Sequence, residues 1–176
     1  IKGPAKWLEA KFAAIRKVPS FMLPRYFALV IETAYNAAVG RAIELMGENV
    51  REGNQFLKSL ALVSCQVTGY MNSASLWPEK SVPSMAAGLP HFAYDWARCW
   101  GRDITISARG LYMGTGRYAD AKEHIFAFAS VLKHGMVPNL LGGGKNPRYN
   151  SRDSVWFFLQ NCQDYTKIVP NGMELL

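Results

Sequence analysis

Only three of the 176 residues are cysteine, and Cys65, Cys99 and Cys162 form no CxxC pair. The odd count and wide spacing exclude a disulfide framework and a zinc site, and make a reducing compartment the default. Long apolar runs are missing too. None approaches the roughly 18–20 residues that a helical membrane span needs, so no membrane partner is expected. The chain opens on Ile-Lys-Gly-Pro, with neither a starting Met nor a signal-peptide layout. It is therefore expected to begin within a longer protein or after processing. Acidic residues are outnumbered, 13 against 20 basic, for a net charge of +7. The basic residues are spread along the chain, however. Their densest group, Lys11, Arg16 and Lys17, suits a solvated helix face as well as an anionic partner, so no nucleic-acid partner is expected.

Several catalytic signatures are absent. There is no GxSxG, and Cys99, between Arg98 and Trp100, has no evident base beside it. Gly142-Gly143-Gly144-Lys145 is followed by Asn146-Pro147 rather than Ser or Thr, which excludes a P-loop and leaves a substrate loop or a plain turn. His91, His124 and His134 lack metal-ligand spacing. His134, just before Gly135, is expected to meet a helix C-terminal dipole, while His91 falls in an aromatic loop and is the one histidine placed at a site. No cofactor or metal is expected.

What the sequence does contain is helical periodicity, with little strand-like alternation. Helices are expected over residues 4–17, 25–46, 54–69, 103–115, 119–134 and 153–169, with a break over Ser20–Pro24, a stop at Gly47 and a return loop over 135–150. The first pairs Pro4 in its opening turn with Leu8, Phe12 and Ile15, and the second carries Phe27, Ile31, Ala34 and Ala38 on one stripe. Residues 70–101 are expected as a long loop, rich in proline and in Trp77, His91, Phe92, Tyr94, Trp96 and Trp100. Such a loop is either functional or a hydrophobic flap over a core.

The helix over 103–115 is apolar nearly all round, with a stripe of small residues, Ser107, Gly110 and Gly114, that would let a neighbouring backbone approach. The helix over 119–134 is amphipathic, and the one over 153–169 opens on Val155-Trp156-Phe157-Phe158-Leu159. The order buried, half-exposed, buried is what two concentric layers of helices would produce. Arg102-Asp103 and Arg152-Asp153 stand at the starts of the two buried helices, 50 residues apart, the interval of one helical hairpin with its loops.

Each Arg-Asp pair sets an acceptor-only carboxylate and a five-donor guanidinium at a helix start, beside aromatic rings and glycine loops. A sugar wants that set: carboxylates for its hydroxyl donors, guanidinium for its oxygens, ring faces for its C–H surfaces. The plain alternative is that Asp suits any first turn and that Arg and Asp pair internally. If the charges lie close, the carboxyls are held low, which suits ligand holders rather than proton donors.

The stretches Ala86-Ala87-Gly88-Leu89-Pro90-His91-Phe92 and Arg98-Cys99-Trp100-Gly101-Arg102-Asp103 together resemble the amylo-α-1,6-glucosidase family of glycogen-debranching hydrolases. The likeness continues through Thr115-Gly116-Arg117-Tyr118, Leu132-Lys133-His134-Gly135, Val137–Gly142, Arg148-Tyr149-Asn150 with Arg152-Asp153, and Gln163-Asp164-Tyr165 to Gly172. It is weaker at Val18-Pro19 and Leu23–Phe27, and the sequence departs from the usual pattern at Ile104-Thr105 and Asp95. The resemblance implies an all-α fold, part of an (α/α)6 toroid of six helical hairpins, with residues 1–176 as its N-terminal portion. It also implies inverting removal of a single α-1,6-linked glucose, alongside a separate 4-α-glucanotransferase domain in the parent protein. Arg102 and Asp103 would hold the terminal glucose, with His91, Phe92 and Trp100 walling the pocket and Asn150, Arg152 and Asp153 contributing from the next inner helix. Glycogen and branched α-glucan oligosaccharides are the implied partners, with the rest of the parent polypeptide, in the cytoplasm. Six hairpins of about 50 residues exceed the 176 present. The resemblance also implies that the general acid and base lie beyond residue 176, so the chain alone is expected to be inactive. A related exo-glucosidase and a non-catalytic glucan-binding module stand as alternatives.

Overall fold

A computed structural model describes residues 2–71, 82–86, 98–142 and 146–176. The aromatic positions His91 and Phe92, together with Trp77, Tyr94, Asp95, Trp96 and Lys145, lie outside the described residues. The chain divides into two compact units, Ile1–Leu45 and Met46–Leu176.

In the first unit, α1 (Lys2–Ile15) and α2 (Leu23–Glu44) are joined through a 3-10 turn, Ser20–Met22. Pro24 falls in the first turn of α2, where its missing N–H leaves no helical bond unmade. Phe12 stacks on Phe27 with ring centroids 5.6 Å apart. No residue of α2 is buried, and Phe27 and Ile31 stay exposed.

The second unit carries α3 (Glu48–Arg51), α4 (Gln55–Val67), β1 (Thr68–Met71), β2 (Val82–Met85), α5 (Gly101–Ala108), α6 (Tyr118–Ala129) and α7 (Ser154–Ile168). Asn54 starts α4 by accepting the Leu57 N–H on its side-chain oxygen at 2.9 Å. A small cluster of Met46, Val50 and Ala61 sits between α3 and α4. The main core gathers Ile104 and Ala108 of α5, Ile125 and Phe128 of α6, Phe158 and Tyr165 of α7, and Tyr112, Val137 and Leu141 between them.

Where a loop is expected, β1 and β2 pair antiparallel, Thr68 opposite Met85 and Met71 opposite Val82. Four residues a strand are too few for alternation to show in sequence, and all four residues of β2 are buried, which removes the polar face altogether. The ladder then grows through single bridges. Cys99 N–H donates to Met85, Leu141 N–H to Cys99, and Trp100 and Arg148 each bridge Leu140. This extended patch ends in Gly101, the first residue of α5.

Further expectations change. The helix over 103–115 is α only to Ala108 and then widens into a π turn, Arg109–Met113, closed by Gly114 N–H to Arg109 C=O at 2.8 Å. Among the described residues no neighbouring backbone approaches Gly110, where an added Cβ would meet nothing within 4 Å. The helix α6 stops at Ala129, so His134 is not at a helix end. It occupies a tight turn, with positive φ at His134 and Gly135 and mutual bonds between Lys133 and Met136. Finally, the alternation of buried and half-exposed helices does not hold. Half of the residues of α5 and half of those of α6 are buried, while α5 exposes Ile106, α6 exposes Phe126, and α7 exposes Trp156 and Leu159. The reason is position: α6 lies among β2, the π turn, α5 and α7, and no described element covers the outer faces of the other two.

Candidate functional site

The helix starts at Gly101 and Asp153 come together because α5 packs along α7. Arg102 does not pair with its neighbour Asp103. Its Nε and Nη2 donate to Asp153 Oδ1 at 3.0 and 2.8 Å, across 51 positions of sequence. Ser151 Oγ donates to the same oxygen at 2.5 Å. Asp153 is the N-cap of α7 but makes no capping bond with its side chain, since the carboxylate is turned to Ser151 and Arg102. The Ser151 hydroxyl, followed by the Arg102 guanidinium, holds the Asp153 carboxyl below the usual carboxylate range.

Arg102 and Asp103 line an open hollow of about 340 Å³ with Val67, Met85, Ile106 and Ser107. Asp103 is exposed in the first turn of α5, and its backbone carbonyl accepts the Ser107 hydroxyl. A guanidinium edge and a carboxylate over an apolar floor can bind a small polyol through both its donors and its acceptors. Trp100 is partly buried as the N-cap of α5. Asn150 and Arg152 line a second hollow of about 400 Å³ with Met136, Tyr149, Ser151 and Val155. The two Arg-Asp tips therefore meet at one ion pair, while Arg102 and Arg152 belong to different hollows.

Behind the first hollow stands a buried polar frame. Arg98 is buried, with Nε donating to Ser84 Oγ at 2.8 Å and Nη2 to the carbonyls of Ser84 and Val67. His124 accepts the Met85 N–H on Nε2 at 3.1 Å, which leaves the proton on Nδ1 for the Asp120 carbonyl at 2.7 Å. The Asp120 carboxylate takes Arg117 at 2.7 Å and the Tyr70 hydroxyl at 2.7 Å. Arg117 lies over the Tyr112 ring, whose hydroxyl meets Thr68 at 2.8 Å. This frame holds the hairpin against α6, and with it Met85, a wall of the hollow. Cys99 is buried at φ 60°, and burial pushes its thiol up, so it packs rather than reacts.

Sequence reasoning missed Ser151, whose only local signal is its place two residues before Asp153. It also gave no role to Asp120 or Arg117, whose partners Tyr70 and Tyr112 are distant in sequence. Among the described residues no three His, Cys, Asp or Glu side chains gather to hold a metal ion. No described helix is long and apolar enough to cross a membrane.

The family model for amylo-alpha-1,6-glucosidase matches residues 52–176. Glycogen debranching enzyme of Saccharomyces cerevisiae is 51% identical over 170 residues, which covers 97% of this chain and 11% of that protein. The chain thus spans about a ninth of the length of this curated relative.

Proposed function

The chain belongs to the amylo-alpha-1,6-glucosidase family, and we propose that it forms the N-terminal portion of a six-hairpin hydrolase domain in a cytoplasmic glycogen-debranching protein. The parent protein removes the α-1,6-linked glucose stub of a trimmed branch with inversion, beside a separate 4-α-glucanotransferase activity. The observation that carries this reading is the crosswise Arg102–Asp153 pair, which presents the guanidinium to a hollow shared with Asp103.

In this reading the terminal glucose enters the Arg102/Asp103 hollow. Asp103 accepts from its hydroxyls, and the Arg102 N–H groups not spent on Asp153 donate to its oxygens. Trp100, the N-cap of α5, supplies an aromatic face to the sugar. Asn150 and Arg152, in the second hollow, hold the glucan beyond the stub. Asp153 serves as a ligand holder, since a proton donor needs its carboxyl pushed up and this one is pushed down. Inversion requires two carboxyls roughly 6.5–9.5 Å apart with a water between them. That acid and base belong to residues beyond 176 in the parent polypeptide.

The test is glucose release from a branched oligosaccharide bearing a single α-1,6 stub, by the full-length polypeptide. Stub removal with the β-anomer appearing first supports the reading, and cleavage of linear α-1,4 oligosaccharides alone overturns it. A second reading draws on the lowered Asp153: a glucan-binding module without turnover. It predicts co-sedimentation with glycogen and no glucose release from the same polypeptide.

A further inference from the structure

We propose that Ser151 is the positioning residue of the sugar clamp: it orients the Asp153 carboxylate, which in turn fixes the Arg102 guanidinium over the hollow that Asp103 lines. The inference rests on the reading of that hollow as a glucose site. Three bonds converge on one oxygen, Asp153 Oδ1: two from Arg102 and one from Ser151. A carboxylate held by Arg102 alone could swing about its Cβ–Cγ bond and carry the guanidinium with it. Ser151 supplies the second anchor, from the segment before α7, and so fixes the plane of the carboxylate. Asp153 has no capping bond that could do this instead.

The same residue also links the two hollows. Ser151 lines the cavity with Tyr149, Asn150 and Arg152, while its hydroxyl bonds the aspartate that holds Arg102 in the other. A glucan seated beside Arg152 therefore rests against the residue that sets the geometry of the stub site. Arg102 and Asp153 are both about half exposed, so water competes for their bond and a second anchor matters more than in a buried pair.

The experiment uses the full-length polypeptide with Ser151→Ala, Ser151→Thr, Asp153→Asn and the double change Ser151→Ala/Asp153→Asn. A mispositioned Arg102 loses binding that is present before and during reaction, so KM rises while kcat stays close to its original value. Ser151→Ala is expected to raise KM for the branched oligosaccharide about tenfold, on the scale of one hydrogen bond to a charged group. Ser151→Thr, which keeps the hydroxyl, restores it. In the Asp153→Asn background Ser151→Ala adds less than about twofold, because the serine acts through the aspartate. An unchanged KM in Ser151→Ala, no rescue by Thr, or a full additional loss in the Asn background overturns the proposal. Calorimetric affinity for the same oligosaccharide is measured in parallel. If no variant or parent releases glucose, the hydrolase reading fails, and the affinities still decide the role of Ser151.

Discussion

A Cβ added at Gly101 would stand 2.2 Å from the carbonyl oxygen of Pro138 and 3.1 Å from the Phe128 ring. The Gly101 N–H meanwhile bonds the Asn139 carbonyl at 2.8 Å. The first residue of α5 is thus pressed onto the 138–139 backbone, and only a hydrogen fits there. Gly101→Ala must push a backbone carbonyl aside, and the cost is about 3 kcal/mol or more, the upper end of overpacking changes. A thermal unfolding comparison checks it. An unchanged midpoint would mean that α5 is seated differently. Arg102 and Asp103 follow directly, so on the proposed glucose-site reading affinity for the branched oligosaccharide is expected to fall along with stability.

Asp103 behaves in the opposite way. It is exposed on the first turn of α5 and lines the hollow. Asp103→Asn in the full-length polypeptide is expected to cut kcat/KM by about a hundredfold or more, while the midpoint moves little, as for most exposed substitutions. Normal kinetics in that variant would take Asp103 out of the pocket.

His124 sets an acid limit on the fold. The imidazole is buried, and that burial pushes its pKa below the ordinary value of 6.5; Arg117 nearby acts in the same direction, against Asp120 and Glu123. In the unfolded chain it takes up a proton near pH 6.5, as an ordinary histidine does. The unfolded state then binds more protons, so the stabilising contribution is complete above about pH 6.5 and is lost as pH falls below it. Protonation also ends the acceptance of the Met85 N–H on Nε2. The urea midpoint should fall between pH 7 and 5, and amide exchange at Met85 should quicken. In His124→Gln the part of that slope owed to His124 should be gone. A parent protein with a flat profile over this range would contradict the assignment.

Arg98 makes its described bonds to neutral oxygens, the Ser84 hydroxyl and the carbonyls of Ser84 and Val67. The planar fork reaches three acceptors at once, which a lysine ammonium cannot do from the same backbone. Arg98→Lys keeps a buried charge with fewer partners, whereas Arg98→Met removes the charge and keeps much of the volume. Arg98→Lys is therefore expected to cost at least as much as Arg98→Met, about 3 kcal/mol, on the scale of lost hydrogen bonds to a buried charged group. Denaturant titration of the two variants decides it, and a near-neutral Arg98→Lys would show that the charge, not the fork, carries the interaction.

Much of the helical layout is legible in the chain itself. The start of α4 follows from Asn54 and the stop after Glu44 from Gly47, each a local effect of capping or of a breaker within a few residues. The end of α6 is not legible, because Val131 and Leu132 continue the apolar pattern past Ala129 and only the 133–136 turn draws the chain away. The hairpin escaped for the same kind of reason. Val82–Met85 is too short to show a period and is buried on both faces by α6 and the 98–100 segment.

At the candidate site the division is sharper. Sequence alone determined that two Arg-Asp tips stand at helix starts one hairpin apart, and the wording of its motifs determined the family. It could not determine which arginine meets which aspartate. Adjacent charges such as Arg102 and Asp103 leave a helix start in different directions, so their neighbourhood in the chain does not make them partners. Only the packing of α5 along α7 carried Arg102 to Asp153, added Ser151 beneath it, and left Asp103 turned to the hollow. Side-chain pairing at that range depends on where two rods cross, a quantity that no run of adjacent residues encodes.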